Sequence, residues 1–177
     1  MLKHNFSQYE LDTHILKNVC VLVDTRENAN EHIIAYFEKK NIEYKIQKLE
    51  FGDYALLLKS NADYGLPHDL LLDYAVERKG SLEELSGNLT NDRVRIEEEL
   101  WRGSGKLALV IENESIENVF SHAYNTKYNE KSFIATLCTF LHRYNVNYTF
   151  VSKSNAGAMI YVLLYYRLRE EIKWPTI

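Results

Sequence analysis

The stretch VCVLVDT, residues 19–25, decides the fold class. Val19, Cys20, Val21, Leu22 and Val23 leave no polar face, so the segment reads as a strand buried on both sides that ends in an acid, Asp24. A helix follows, capped by Asn28 or Asn30, with Ile33, Ile34 and Phe37 as its apolar stripe and Lys39 and Lys40 complementing its C-terminal dipole. A buried strand leading into an amphipathic helix is an α/β opening. Residues 43–49 alternate as a half-buried strand. Two more strands, 53–59 and 69–79, flank a loop over 61–68 that holds Asn, Asp, Gly and Pro. Ser81 with Glu84 three residues on has capping-box spacing and leads into Leu82, Leu85 and Leu89. A second helix, RVRIEEELWR, starts after Asp92 and stops at Gly103. KLALVIE, 106–112, is another apolar strand ending in an acid. Helices are expected over 130–144 and 155–171, with a short strand over 148–152 between them. The order βαβββαβαβα gives an α/β fold with a mixed sheet flanked by helices.

The chain has 177 residues, 46% apolar and 26% charged, which suits one domain with one sizeable core. Residues 1–18 read as an N-terminal arm and 19–177 as a single domain. The N-terminus has neither a long apolar run nor a small-residue cleavage site, so it is no signal peptide and an intracellular location is expected. The longest mostly apolar stretch, 156–166, is well short of the ~20 residues of a spanning helix, so no membrane partner is expected. Cys20 and Cys138 sit among apolar neighbours and read as buried, reduced thiols. No Cys or His spacing suggests zinc. A formal charge of −4 means that a nucleic-acid partner would need a local basic patch or bound cations.

The chemistry gathers in AVERKG, residues 75–80. Side chains alternate along a strand, so Glu77 and Lys79 share a face and Arg78 takes the other. Burying such charges costs several kcal/mol, of order, unless a metal or a partner compensates. Asp53 opens the neighbouring hairpin strand directly after Gly52, and Asp24 ends the first strand, where open α/β sheets place ligands. Asp24, Asp53, Glu77 and Lys79 can thus converge, the acids on a hard divalent cation, Mg2+ or Mn2+, and Lys79 placed to hold or deprotonate a water or to offset charge on a phosphate under attack. The bland account of Glu-x-Lys is a cross-strand ion pair on an exposed face.

These residues resemble a known family. VDTRE (23–27), FGDY (51–54) and AVERKGSLEEL (75–85), in that order, are similar to the nuclease domain of the XPF family, the ERCC-type nuclease domain, over about residues 19–150. The resemblance implies a restriction-endonuclease-like core and a metal-dependent DNA endonuclease acting on branched or otherwise structured DNA and leaving a 5′ phosphate. It implies Asp24, Asp53 and Glu77 as metal ligands, Lys79 as the catalytic lysine, and Arg78 and Arg26 as basic residues near the scissile phosphate. The family's Asp after the Glu-Arg-Lys triplet falls on Glu83 by count, while Glu84 precedes Leu85 as that Asp precedes its Leu. Glu84 is the favoured equivalent. The alternative function is a catalytically silent DNA-binding or scaffold module of the same fold.

Arg93 and Arg95 are candidates for the DNA backbone. Arg93 is preferred for sharing a face with Leu89 and Ile96, though pairing with Glu97 at i+4 accounts for it equally well. RGSGK, 102–106, lacks the upstream glycine and the final Ser or Thr of a P-loop and reads as a turn. Glu97, Glu98 and Glu99 read as a solvated helix face. Family members often carry helix-hairpin-helix modules after the nuclease domain. Only about twenty-five residues follow the last strand here, so none is expected, and DNA binding should be weak and salt-sensitive. The helix over 155–171 is apolar around much of its circumference. That points to a homodimer built partly on it, or to a separate DNA-binding partner.

Overall fold

The computed structural model describes residues 6–112 and 115–173; the first five residues of the expected arm and 174–177 lie outside the described residues. Ser7 and Glu10 form a capping box that starts a short helix, α1 (Gln8–Glu10), which runs into a π-helical turn at Leu11–Ile15. Leu11, Ile15 and Leu16 are buried in the main core, so this part of the arm belongs to the domain. The chain continues through β1 (Val19–Val23), α2 (Glu31–Lys39), β2 (Tyr44–Ile46), β3 (Tyr54–Leu58) and β4 (Leu70–Lys79), and then α3 (Leu82–Asn91) and α4 (Arg93–Arg102). It ends with β5 (Leu107–Glu112), α5 (Glu117–Phe120), α6 (Glu130–Tyr144), β6 (Asn147–Val151) and α7 (Ala156–Lys173).

The six strands form one mixed sheet in the order β2-β1-β3-β4-β5-β6. β1 runs antiparallel to β3 and β3 to β4, whereas β1 with β2, β4 with β5 and β5 with β6 are parallel. Alternation along the central strands feeds two cores. Val76, Ala108 and Val110 pack with α2 and α7, while Ala75, Leu107, Leu109 and Ile111 pack with α3, α4 and α6. This is why KLALVIE has no polar face: water reaches neither side.

The strand expected over 43–49 is paired only over Tyr44–Ile46. Its partner β1 ends at Val23, and the next residue, Asp24, takes the Leu49 amide on its side chain, turning the chain toward Gly52. Cys138 is exposed, because Phe133, Leu137, Phe140 and Tyr144 form the inward face of α6; Cys20 is buried as expected. α7 lays Ala156, Ile160, Leu164, Leu168 and Ile172 on the sheet, and its large apolar side chains left exposed are Val162 and Tyr166. Met159, Tyr161, Leu163 and Tyr165 are partly buried against the same core.

Gly52 sets the start of β3. Its φ is +69°, and an added Cβ would lie 2.7 Å from the Ala75 Cβ. Gly52→Ala is therefore expected to destabilise by about 2 kcal/mol or more, from the left-handed backbone and the overpacking together. A melting temperature unchanged from wild type would contradict this.

Candidate active site

Where β3 begins and β4 ends, a polar cavity of about 210 Å³ opens between the sheet, the β1–α2 loop and the helices α3 and α4. The strands contribute Asp53, Glu77, Arg78 and Lys79, and the loop Arg26 and Glu27. Glu84 and Asn88 of α3 and Arg95 and Glu99 of α4 complete the wall. A larger groove, about 480 Å³, is lined by Val94 and Trp101 elsewhere on α4 and by Tyr144 at the end of α6; of its acids, Glu97 is already tied to Arg93 and Tyr144.

Glu77 and Lys79 leave β4 on the α3–α4 face, and Lys79 Nζ donates to Glu77 Oε1 at 2.7 Å. Both are buried, at 6% and 7% exposure, so the exposed ion pair of the bland account does not apply. Glu77 Oε2 is buried and has no hydrogen-bond partner among the described residues. Asp53 is fixed from its backbone outward, its N–H donating to Val76 O at 2.9 Å and its Oδ2 accepting the Arg78 N–H at 2.8 Å. Burial and the Glu77 charge push the Asp53 carboxyl well above the usual carboxylate range. Burial, with Glu99 and Glu27 adding to it against Lys79, pushes Glu77 up too. Burial opposes the charge on Lys79, yet Glu77, Asp53 and Glu84 together raise its pKa and keep it an ammonium.

Two adjacent buried carboxyls whose ionisation burial resists, one with an orphaned oxygen, form a site short of positive charge. Oxygen donors of this kind suit a hard divalent cation such as Mg2+, which takes one or two carboxylates and fills its remaining positions with water and substrate phosphate.

Asp24 stands apart from this pair. It is 1% exposed, but its Oδ1 accepts from the Arg26 N–H at 2.8 Å and Nε at 2.7 Å, and its Oδ2 from the Leu49 N–H at 2.6 Å. Burial alone would raise its carboxyl, but these hydrogen bonds outweigh it and hold the pKa below the usual range. The expected three-acid convergence is corrected accordingly: among the described residues no group of three or more His, Cys, Asp or Glu is placed to hold a metal ion. Asp24 orients Arg26, whose side chain is 58% exposed at the cavity mouth.

Arg78 leaves β4 on the other face. Its Nη1 donates to Glu27 Oε1 at 2.8 Å and its Nε to Glu112 Oε1 at 2.7 Å. A guanidinium so engaged is not free to grip a phosphate, contrary to the expectation for this residue. Arg93 also falls outside the cavity, because Arg93 Nε donates to Glu97 at 2.8 Å; Arg95 and Glu99, one helical turn apart, face it instead. Glu99 is thus no mere solvated residue. Glu84 Oε2 accepts the Gly80 N–H at 2.8 Å and its Oε1 lies 3.9 Å from Lys79 Nζ, whereas Glu83 turns away to accept the Asn125 N–H at 2.9 Å. Glu27 went unread as a site residue because its partners, Tyr54 and Arg78, are distant in sequence.

An acid whose pKa is raised on folding weakens the folded state as pH rises through that raised value. Asp53→Asn is therefore expected to melt about 2–4 °C above wild type at neutral pH without metal, corresponding to about 1 kcal/mol. The gain should fade as the pH falls and vanish below ~4, where Asp53 is protonated in folded and unfolded chains alike. An Asp53→Asn protein less stable than wild type at pH 7 would contradict the buried like-charge pair.

A mixed sheet with helices on both faces, carrying an acid pair and a lysine where two strands meet, places the chain in a definite class of α/β domain. A match to the ERCC4 domain spans residues 23–163, and the chain belongs to that family. Among solved structures it is similar to XPF from Aeropyrum pernix, at 19% identity and a TM-score of 0.60 over 86% of this chain and 66% of that one. It is also similar to XPF from Aeropyrum pernix in complex with DNA, at 18% identity and a TM-score of 0.58 over 85% and 65%. The chain thus spans just under two thirds of the length of either. No curated protein matches it. Among the described residues no helix is long and apolar enough to cross a membrane.

Proposed function

We propose that the protein is a divalent-cation-dependent endonuclease that hydrolyses phosphodiester bonds in branched or otherwise structured DNA. The observation that carries this reading is the buried Asp53–Glu77 pair, with its unpartnered Glu77 oxygen beside the Lys79 ammonium. Membership of the ERCC4 family and the fold shared with a protein solved on DNA support it.

Asp53 and Glu77 would hold Mg2+ or Mn2+, and such a cation supplies the positive charge that polarises a phosphodiester and eases ionisation of an attacking water. Lys79, fixed by Glu77, holds a second positive charge in a desolvated pocket, where it stabilises developing negative charge far better than in water. Glu84 accepts the Gly80 N–H and so fixes the turn directly after Lys79. Arg26, oriented by Asp24, and Arg95 face the cavity from the β1–α2 loop and from α4 and would meet the flanking phosphates. With few arginines facing the cavity, phosphate contacts are few and binding is weak and weakened further by salt.

The test is incubation of the purified protein with end-labelled duplex, flap, fork and junction DNA in magnesium, manganese or EDTA. Cleavage of the branched substrates with either cation, none in EDTA, and a 5′ phosphate on the product are expected. Binding without cleavage under every condition would replace this reading with the scaffold alternative.

A further inference from the structure

Arg78 lines the cavity, but its Nε contact runs away from it, into the α2 side of the sheet. Glu112 ends β5 on the same face as Arg78, and His32, in the first turn of α2, places Nε2 2.6 Å from Glu112 Oε1. Burial would raise the Glu112 carboxyl, but hydrogen bonds from Arg78 and His32, with the Arg78 charge, hold it low, so it is ionised and the His32 Nε2–H donates. From this anchor Arg78 reaches three parts of the candidate active site. It bonds Glu27 on the cavity wall. Its Nη2 donates at 3.3 Å to the carbonyl of Ala29, whose φ of +53° is unfavourable for a residue with a Cβ. Its own backbone N–H holds Asp53.

We propose that His32 and Glu112 are positioning residues of the nuclease reaction, acting through Arg78 from the face of the sheet opposite the acid pair. The assignment rests on the nuclease reading above. Stability alone accounts poorly for the arrangement. A buried ion network is often no more stable than apolar residues of the same volume, and here Glu112 Oε2 is buried without a partner among the described residues, a cost with no structural return. The loop from Asp24 to Asn30 carries Arg26 and Glu27 into the cavity. It is held by Asp24, which accepts the Arg26 and Glu27 amides, by Tyr54, whose hydroxyl donates to Glu27, and by Arg78, which bonds Glu27 and holds the strained Ala29 turn. Freeing Arg78 at its Glu112 end lets the guanidinium swing and the loop relax while the carboxylate pair itself stays in place.

The experiment compares wild type with His32→Leu, which removes the donor, His32→Gln, which restores one, and Glu112→Gln, which removes the charge. Single-turnover cleavage of the best branched substrate is measured beside DNA affinity, thermal melting and amide hydrogen exchange. His32→Leu and Glu112→Gln are expected to lose about 10- to 100-fold in cleavage rate with DNA affinity within about twofold of wild type, and His32→Gln to recover most of the rate. In both impaired variants the Arg26 and Glu27 amides should exchange at least about tenfold faster, a readout independent of activity. Unchanged exchange at those amides, or wild-type rates in His32→Leu, overturns the assignment and leaves the nuclease reading standing. Rate losses that only track a lowered melting temperature, with no recovery in His32→Gln, overturn it in favour of a structural role. A wild-type protein that cuts no substrate overturns the nuclease reading and this assignment with it.

Discussion

Glu77→Ala and Lys79→Ala are each expected to lower DNA cleavage at least about a hundredfold, and for opposite reasons that a cation titration separates. Glu77 supplies one of two carboxylates, and its unpartnered Oε2 is the oxygen with no competing claim among the described residues. Its removal should weaken Mn2+ binding along with cleavage. Lys79 competes with a cation for Glu77 through the 2.7 Å contact to Oε1. Its removal should leave Mn2+ binding as tight as in wild type or tighter, while cleavage collapses for want of a positive charge at the phosphate. Calorimetric titration of Mn2+ into both variants, alongside cleavage assays, checks the pair. Lys79→Met, which keeps the aliphatic stem, guards against a packing defect. Full cleavage in EDTA, or undiminished cleavage by Glu77→Ala, would falsify the reading of Asp53 and Glu77 as one cation site.

Much of this site was legible before any coordinate, because strand alternation is a local rule. The side-by-side placement of Glu77 and Lys79 follows from a period of two residues, and that of Asp53 from hairpin pairing after Gly52. The sheet was legible for the same reason: strands with no polar face, such as VCVLV and LALVIE, are buried on both sides and lie between two helical layers. Where the reading failed, a choice depended on contacts distant in sequence. Asp24 sits at a strand end where ligands gather, but whether its carboxylate faces the cavity or folds back on Arg26 and Leu49 is decided by a loop 25 residues away. Arg93 against Arg95 turned on a difference of about 200° around one helix, and the helix orientation is set by how Ile96 and Leu100 seat in the core.

A third failure concerns Arg78, and it carries the other large expected effect. From sequence, an arginine between a catalytic glutamate and a catalytic lysine invites a role at the phosphate. The structure gives it 8% exposure and two carboxylate partners, Glu27 and Glu112, from different elements. Arg78→Ala would leave those carboxylates buried without their shared cation, and removing one member of a buried pair typically costs about 3–5 kcal/mol. For a chain of this size that is a fall in melting temperature of roughly 6–20 °C. The pH dependence gives an independent check. The Glu112 pKa is depressed in the folded state, so its contribution to stability is present above the unfolded value, near ~4.3, and is lost as the pH falls through the folded one. Without Arg78 that contribution disappears, so the gap in stability between wild type and Arg78→Ala should be widest at neutral pH and narrow below about pH 4. Adding Glu112→Gln to Arg78→Ala removes one of the stranded charges and should recover part of the loss at pH 7. An Arg78→Ala protein that melts within a degree of wild type, or a gap that does not change between pH 7 and pH 4, would show that the guanidinium does not hold these carboxylates and would return Arg78 to the phosphate.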